Sequence, residues 1–281
     1  MSAESSTLAR CTELDRRLVA AVKGIRVLGM VSWPARVQSA FLAQWHKGNP
    51  RLPSIDYARP GFAQARAEIE AIHAAADAAH PVGDYIRRSA DSWRTATLML
   101  DAVGDAEFTR HSIDLYGRPG SRVPGSELSN TDAARHFISL ADELDHEVLA
   151  READYCIPAD VLREELQGQL DSFFGREVVR VEVDDQLISK AAAGATRIRL
   201  RSATCFSEHD RSQLLEHEAF VHTLTALNGR RQPQLASLAL SSPRITATQE
   251  GLAVFAELMT GSLDIERIKR ISLRILAIDM A

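Results

Sequence analysis

The chain has 281 residues, 45% of them apolar and 25% charged, which is enough for one large domain or two modest ones with a core that needs no staples. Its 33 basic residues against 38 acidic ones leave a net charge of −5, so no global cationic field holds a polyanion and nucleic acid is not expected as a partner. Cys11, Cys156 and Cys205 are odd in number, far apart and without C-x-x-C spacing, which predicts reduced thiols. The N-terminus carries no basic-then-apolar leader and no apolar run approaches the roughly 18 residues of a span. The expectation is a soluble cytoplasmic protein with no membrane partner.

Apolar residues at helical spacing from Thr7 to Val31 (Leu14, Leu18, Val22, Ile25, Leu28) predict a helix broken by Trp33-Pro34, then a shorter one to Trp45. Glycines and prolines between Gly48 and Gly61 mark a loop. Helices follow over 63–79 and 81–103, then a loop around Gly117, Pro119, Gly120, Pro124 and Gly125. Ser129 and Asp132 form a capping pair for a helix to Arg151, and Pro158 opens one ending near Gly175. Glu177–Val183 and Thr196–Arg201 alternate and read as strands, joined by Ala191-Ala192-Ala193-Gly194. Ser207 with Asp210 caps a helix to Asn228 with Gly229 just beyond it. Thr246 with Gln249 caps another to Thr260, and a last helix starts at Leu263. The fold class is α+β, mostly helical, with a helical N-terminal region over 1–175 and a catalytic region over 176–281. Ile275 to Ala281 ends inside an amphipathic pattern without a stop signal, which suggests a truncated C-terminus or a frayed last turn.

The chemistry concentrates in Leu214-Leu215-Glu216-His217-Glu218-Ala219-Phe220-Val221-His222. H-E-x-x-x-H resembles the zinc-protease signature H-E-x-x-H with one residue added. Two neutral imidazoles suit Zn²⁺, and a glutamate beside the first can take a proton from the attacking water and deliver it to a leaving amine. The spacing is demanding: five residues of α-helix turn through about 500°, leaving the histidines roughly 140° apart. A π-type bulge near Ala219–Val221 would bring both rings to one side, and the dipeptidyl-peptidase-III family sets a precedent for this longer motif. An ordinary helix with two histidines is the plain alternative. His146-Glu147 has no second histidine at either spacing and reads as a surface pair.

A catalytic zinc site needs a third protein ligand. Thr246-Ala247-Thr248-Gln249-Glu250-Gly251-Leu252-Ala253 offers Glu250, after a loop long enough to return one helix against the other. Gly251 inside a helix costs about 1 kcal/mol relative to alanine, which a close approach of backbone to the metal helix would justify. Glu257, two turns on, either orients a ligand histidine or faces solvent.

LLEHEAFVH followed by TATQEGLAVFAEL resembles the QEGLA-motif proteins, a family that includes tubulin-tyrosine carboxypeptidases of the microtubule-associated type. Its bacterial members are often labelled flavohaemoglobin-expression modulators. The resemblance also takes in Lys190–Arg201 and Leu224–Arg230, and more weakly the earlier helices. It implies a zincin-like core, zinc held by His217, His222 and Glu250, Glu218 as catalytic base, and carboxypeptidase action on the C-terminal tail of a peptide or protein. Family members continue beyond Met280.

Alternation puts Arg197, Arg199 and Arg201 on one face of the second strand. If that strand is an edge beside the metal helix, Arg197, Arg199 and Lys190 are candidates to bind a substrate carboxylate. Equally, the arginines are a solvated face that discourages edge pairing. The expectation is a zinc metallopeptidase with a small antiparallel sheet beside the metal-binding helix. The rivals are a non-catalytic helical regulator that keeps the metal site, and an aminopeptidase or dipeptidyl peptidase with the same motif.

Overall fold

The structure, a computed structural model, describes the backbone of residues 3–152 and 156–281, with side chains over 4–144 and 156–281. The His146-Glu147 side chains lie outside the described residues. Packing groups the chain into two units, where the sequence reading divides it at 175. One unit comprises Met1–Tyr116 and Ala226–Thr246, the other Gly117–Thr225 and Ala247–Ala281.

The first unit is helical: α1 (Ala3–Val22), α2 (Val27–Val31), α3 (Ala35–Trp45), α4 (Ala63–Ala75), α5 (Pro81–Asp101) and α6 (Ala106–Tyr116). Helical spacing collects Leu14, Leu18, Ile69, Ile72, Ile86 and Leu100 into its core. Asp15 is fully buried there and accepts hydrogen bonds from the Ser237 backbone N–H and hydroxyl, which satisfies an otherwise costly carboxylate. Pro81 starts α5 behind an unusual cap, in which His80 Nδ1 accepts from the Val82 N–H. The helix expected from Thr7 to Val31 is two helices, because the chain turns between Val22 and Val27 to bury Ile25. α6 was not anticipated. By length and composition the stretch Glu4–Trp45 does hold a window apolar enough to cross a membrane, contrary to the sequence reading. That stretch is broken at 23–26 and again at 32–34, beside Pro34, so it is three helices in succession.

The second unit holds the sheet. α7 (Asn130–Glu152) and α8 (Ala159–Phe174) lead into β1 (Arg180–Asp184), β2 (Ala191–Ala193) and β3 (Arg197–Arg201). α9 (Glu208–Leu214) runs directly into a π-helical segment, Leu215–Thr223, and on into α10 (Leu224–Arg230). α11 (Thr246–Met259) and α12 (Ile265–Met280) complete the order. Leu162, Leu166 and Leu170 of α8 are buried beside the strands, which contribute Val181, Ile198 and Leu200. The Ser129–Asp132 and Ser207–Asp210 capping pairs both form, each satisfying two backbone donors.

Several expectations are corrected. The sheet is mixed rather than antiparallel: its order is β1-β3-β2, with β1 parallel and β2 antiparallel to β3. The polyalanine segment, read as a connector, folds back through Gly194 as the third strand, and the longer connection from β1 to β3 permits parallel pairing. β3, which carries the arginines, is therefore the central strand, and β1 and β2 are the edges. Thr246 is not a cap, since a 3₁₀ turn over Pro243–Ile245 leads into α11 and Thr246 is already helical. Gly229 lies within α10, where a Cβ would come 2.2 Å from the Leu238 carbonyl oxygen. Its role is close packing and not helix termination.

The cysteine expectation also fails for two of the three. Ile157 and Phe206 exchange backbone hydrogen bonds of 2.9 and 3.1 Å as an isolated antiparallel bridge. This brings Cys156 and Cys205 to a Cα–Cα distance of 4.9 Å, and they form a disulfide, leaving only Cys11 as a free, buried thiol. Disulfides persist in oxidising compartments, so cysteine usage gives no support to a cytoplasmic location. Thiol titration in denaturant without reductant should detect one reactive thiol per chain; three would mean that Cys156 and Cys205 are reduced.

Candidate metal centre

The π-helical segment sets the geometry. Its i→i+5 hydrogen bonding lengthens each turn, so residues five apart return to nearly the same side of the helix. The histidine rings consequently meet edge-on, 4.8 Å between centroids at an interplanar angle of 75°. The insertion covers the place where the longer motif requires one. It is held from below by burial of Ala219, Val221 and Thr223, whose hydroxyl donates to the Gly194 carbonyl at 3.1 Å.

α11 brings Glu250 to the same point. His217 Nε2 lies 3.7 Å from Glu250 Oε2, and His222 Nε2 lies 3.6 Å from Glu250 Oε1. One ligand atom from each of the three residues falls within 4.8 Å of the others. Those distances are too long for hydrogen bonds. Ligand atoms about 2.0–2.1 Å from a tetrahedral ion stand roughly 3.3 Å apart, so the two histidine–glutamate distances need to close by only a few tenths of an ångström, and the three atoms, within 4.8 Å of one another, would have to draw together to share one ion. Two imidazoles and a carboxylate are a donor set that suits zinc, and the residues fit a divalent metal. Glu250 is 59% exposed against 12% for His217, which leaves the outer side of the site open.

Behind the histidines the polar groups are paired. His217 Nδ1 donates to Glu257 Oε1 at 2.6 Å, which fixes the tautomer and leaves the Nε2 lone pair facing Glu250. Glu257 is fully buried and takes a two-pronged contact from Arg267, Nε to Oε2 at 2.5 Å and the guanidinium NH2 to Oε1 at 2.6 Å. Burial pushes the Glu257 carboxyl up, but the hydrogen bonds from His217 and Arg267 and the nearby positive charge outweigh it and hold the group below its ordinary value. His222 Nδ1 lies 3.4 Å from Gln249 Oε1, so the glutamine beside Glu250 steadies the second histidine. Burial raises the pKa of Glu216, which precedes the motif. Gln213, buried on α9, donates to the Ser262 carbonyl and to Asp264, fastening α9 to the turn before α12.

A cleft of about 200 Å³ adjoins the site, lined among others by Lys190, His217, Glu218, Glu250, Arg270 and Arg274. Glu218 makes no hydrogen bond or ion pair among the described residues. Lys190 reaches the cleft but pairs with Asp210 at 2.5 Å and sits over the Phe206 ring. Arg197 and Arg199 do not line the cleft. They pair across the parallel strands with Glu182 at 3.5 Å and Asp184 at 2.9 Å. Arg267, Arg270 and Arg274 have no assignment in the sequence reading, and Gln249 appears there only as a capping partner of Thr246. A buried glutamate on α11 signals that some cation must meet it, but not which one.

A family model described as microtubule-associated tyrosine carboxypeptidase matches residues 39–281. The chain belongs to that family. Its membership agrees with the resemblance carried by LLEHEAFVH and TATQEGLAVFAEL, and identifies it with a family of carboxypeptidases, hence hydrolases. The matched region takes in the whole second unit, with the histidine pair, Glu250 and the Glu257–Arg267 contact. No curated protein and no solved structure matches the chain.

Replacing Glu257 by Leu should destabilise the protein by about 3 kcal/mol in denaturant unfolding, because Arg267 loses its partner in a largely buried place. Glu257→Gln, which keeps an acceptor for His217, should cost less; equal losses would argue against the hydrogen-bonding role.

Proposed function

We propose that this chain is a zinc-dependent carboxypeptidase of zincin type, removing a residue or short peptide from the C-terminal tail of a peptide or protein. The observation that carries this reading is the convergence of His217, His222 and Glu250 ligand atoms within 4.8 Å, with Glu218 in the adjoining cleft. Family membership supports the carboxypeptidase reaction.

His217 and His222 would each present Nε2 to the ion, and Glu250 would complete three protein ligands while leaving one position open. Bound zinc supplies a Lewis acid that polarises the scissile carbonyl and brings the pKa of water toward about 7. Glu218 accepts the proton of the attacking water and returns it to the leaving amine; having no competing partner among the described residues, its carboxylate is available for both transfers. Glu257 keeps His217 in the tautomer that ligates, and Arg267 keeps Glu257 ionised. β2, an edge strand, packs beside the π-helical segment, and its start at Ala191 lines the cleft, so its outer edge can pair with extended substrate backbone.

Recognition of a terminal carboxylate needs a cation in the cleft. Lys190 is committed to Asp210, and Arg270 pairs with Glu266 at 3.5 Å. Arg274 lines the cleft with no partner among the described residues and is the strongest candidate for that contact. Arg197 and Arg199 are assigned to the sheet. An exopeptidase reading an N-terminal amine would instead need acidic groups on this wall, where Arg270 and Arg274 stand.

Elemental analysis after gentle purification should find about one zinc per chain, lost in His222→Ala. Glu218→Gln should retain the metal while hydrolysis falls by at least about a hundredfold. Arg274→Gln should raise KM for peptides with a free C-terminus, and amidated peptides should resist cleavage by the unaltered protein. Full activity in Glu218→Gln would contradict the mechanism.

A further inference from the structure

Between Ile25 and Phe62, both buried, the chain has no buried residue for 36 consecutive positions. Yet this stretch is not polar. It forms α2 and α3 and carries Leu28 at 79% exposure, Trp33 at 41%, Leu42 at 43%, Trp45 at 58% and Leu52 at 89%. α3 has 11 residues and none is buried. A helix that short is marginal in water unless an apolar face is covered. On α3, Leu42 and Trp45 stand three apart on one side, and Trp45 packs only loosely on Phe41, 6.1 Å between ring centroids.

The charge of the same stretch is one-sided. From residue 16 to residue 55 there is no aspartate or glutamate, in a chain whose net charge is −5. Within it the side chains of Lys23, Arg26, Arg36, Lys47 and Arg51 make no ion pair or hydrogen bond among the described residues. Five cations with unpaired side chains, interleaved with exposed leucines and tryptophans over two short helices and the segments that flank them, are the composition of a stretch that lies in a lipid–water interface. Indole and leucine side chains enter the acyl boundary while lysine and arginine reach the headgroups.

We propose that this stretch, centred on α2, α3 and the Gly48–Leu52 loop, docks the protein on an anionic membrane surface. The chain lies on the bilayer there and does not cross it: the apolar window in Glu4–Trp45 is divided into three helices, and Pro34 prevents α2 and α3 from joining. A lipid surface also accepts side chains that protrude from separate elements, as Leu28, Leu42 and Leu52 do, without a shape-matched partner. The carboxypeptidase reading is not needed for this proposal, which revises the expectation of no membrane partner.

The test is co-sedimentation of the full chain with phosphatidylcholine vesicles and with vesicles containing about 30% phosphatidylserine. Binding should be at least about tenfold tighter to the anionic vesicles and should weaken as salt rises. Leu42→Gln with Trp45→Gln, and separately Lys47→Gln with Arg51→Gln, should each reduce it about tenfold while circular dichroism stays unchanged. No binding to anionic vesicles, or binding that ignores both variants, would overturn the proposal. So would light scattering that shows a dimer which Leu42→Gln with Trp45→Gln dissociates, since the stretch would then dock on a second copy.

Discussion

A single extra residue between two histidines governs the candidate site. In an α-helix His217 and His222 would point to different sides. The π-helical segment absorbs the extra residue, and the rings then stand 4.8 Å apart. A π-helix is an unfavourable way to arrange backbone, so neighbouring contacts must hold it. Here they are the burial of Ala219 and Val221, the hydrogen bond from Thr223 to Gly194, and the clasp of His217 by Glu257. Every other feature of the centre follows from that local geometry.

Glu257 shows how burial and chemistry are reconciled. A carboxylate without solvent exposure is expensive unless fully paired. Arg267 and His217 occupy both its oxygens, and the pairing holds its pKa below the ordinary value against the upward push of burial. The same contact ties α11 and α12 to the π-helical segment, so the residues that orient His217 also hold the elements around it in place. Elsewhere in this unit cations are similarly committed, Arg197 and Arg199 to β1 and Lys190 to Asp210. Arg274, by contrast, faces the cleft without a partner among the described residues.

The parts of this arrangement that depend on local spacing were readable from the sequence. The H-E-x-x-x-H pattern requires a distorted helix if both rings are to meet at one point, and alternation marks β1 and β3 because period two is a property of the strand alone. The Ser129 and Ser207 caps are local hydrogen bonds between residues three apart. What was not readable depends on long-range pairing. Nothing in Ala191-Ala192-Ala193 says that it will pair with β3 and displace it from the edge, so the sequence leaves the arginines equally open to substrate or solvent, and the pairing of Arg197 and Arg199 with Glu182 and Asp184 of β1 emerges only in the fold. The Cys156–Cys205 disulfide depends on Ile157 meeting Phe206, a contact between distant segments. Arg267 likewise reaches Glu257 only through the turn between α11 and α12.

The proposed zinc centre can be examined most directly by diffraction from metal-loaded crystals at wavelengths on either side of the zinc absorption edge. One strong anomalous peak should lie about 2.0–2.1 Å from Nε2 of His217, Nε2 of His222 and a carboxylate oxygen of Glu250, with the helix between the histidines still π-bonded. A peak elsewhere, or an α-helical motif with His222 turned away from the ion, would contradict it.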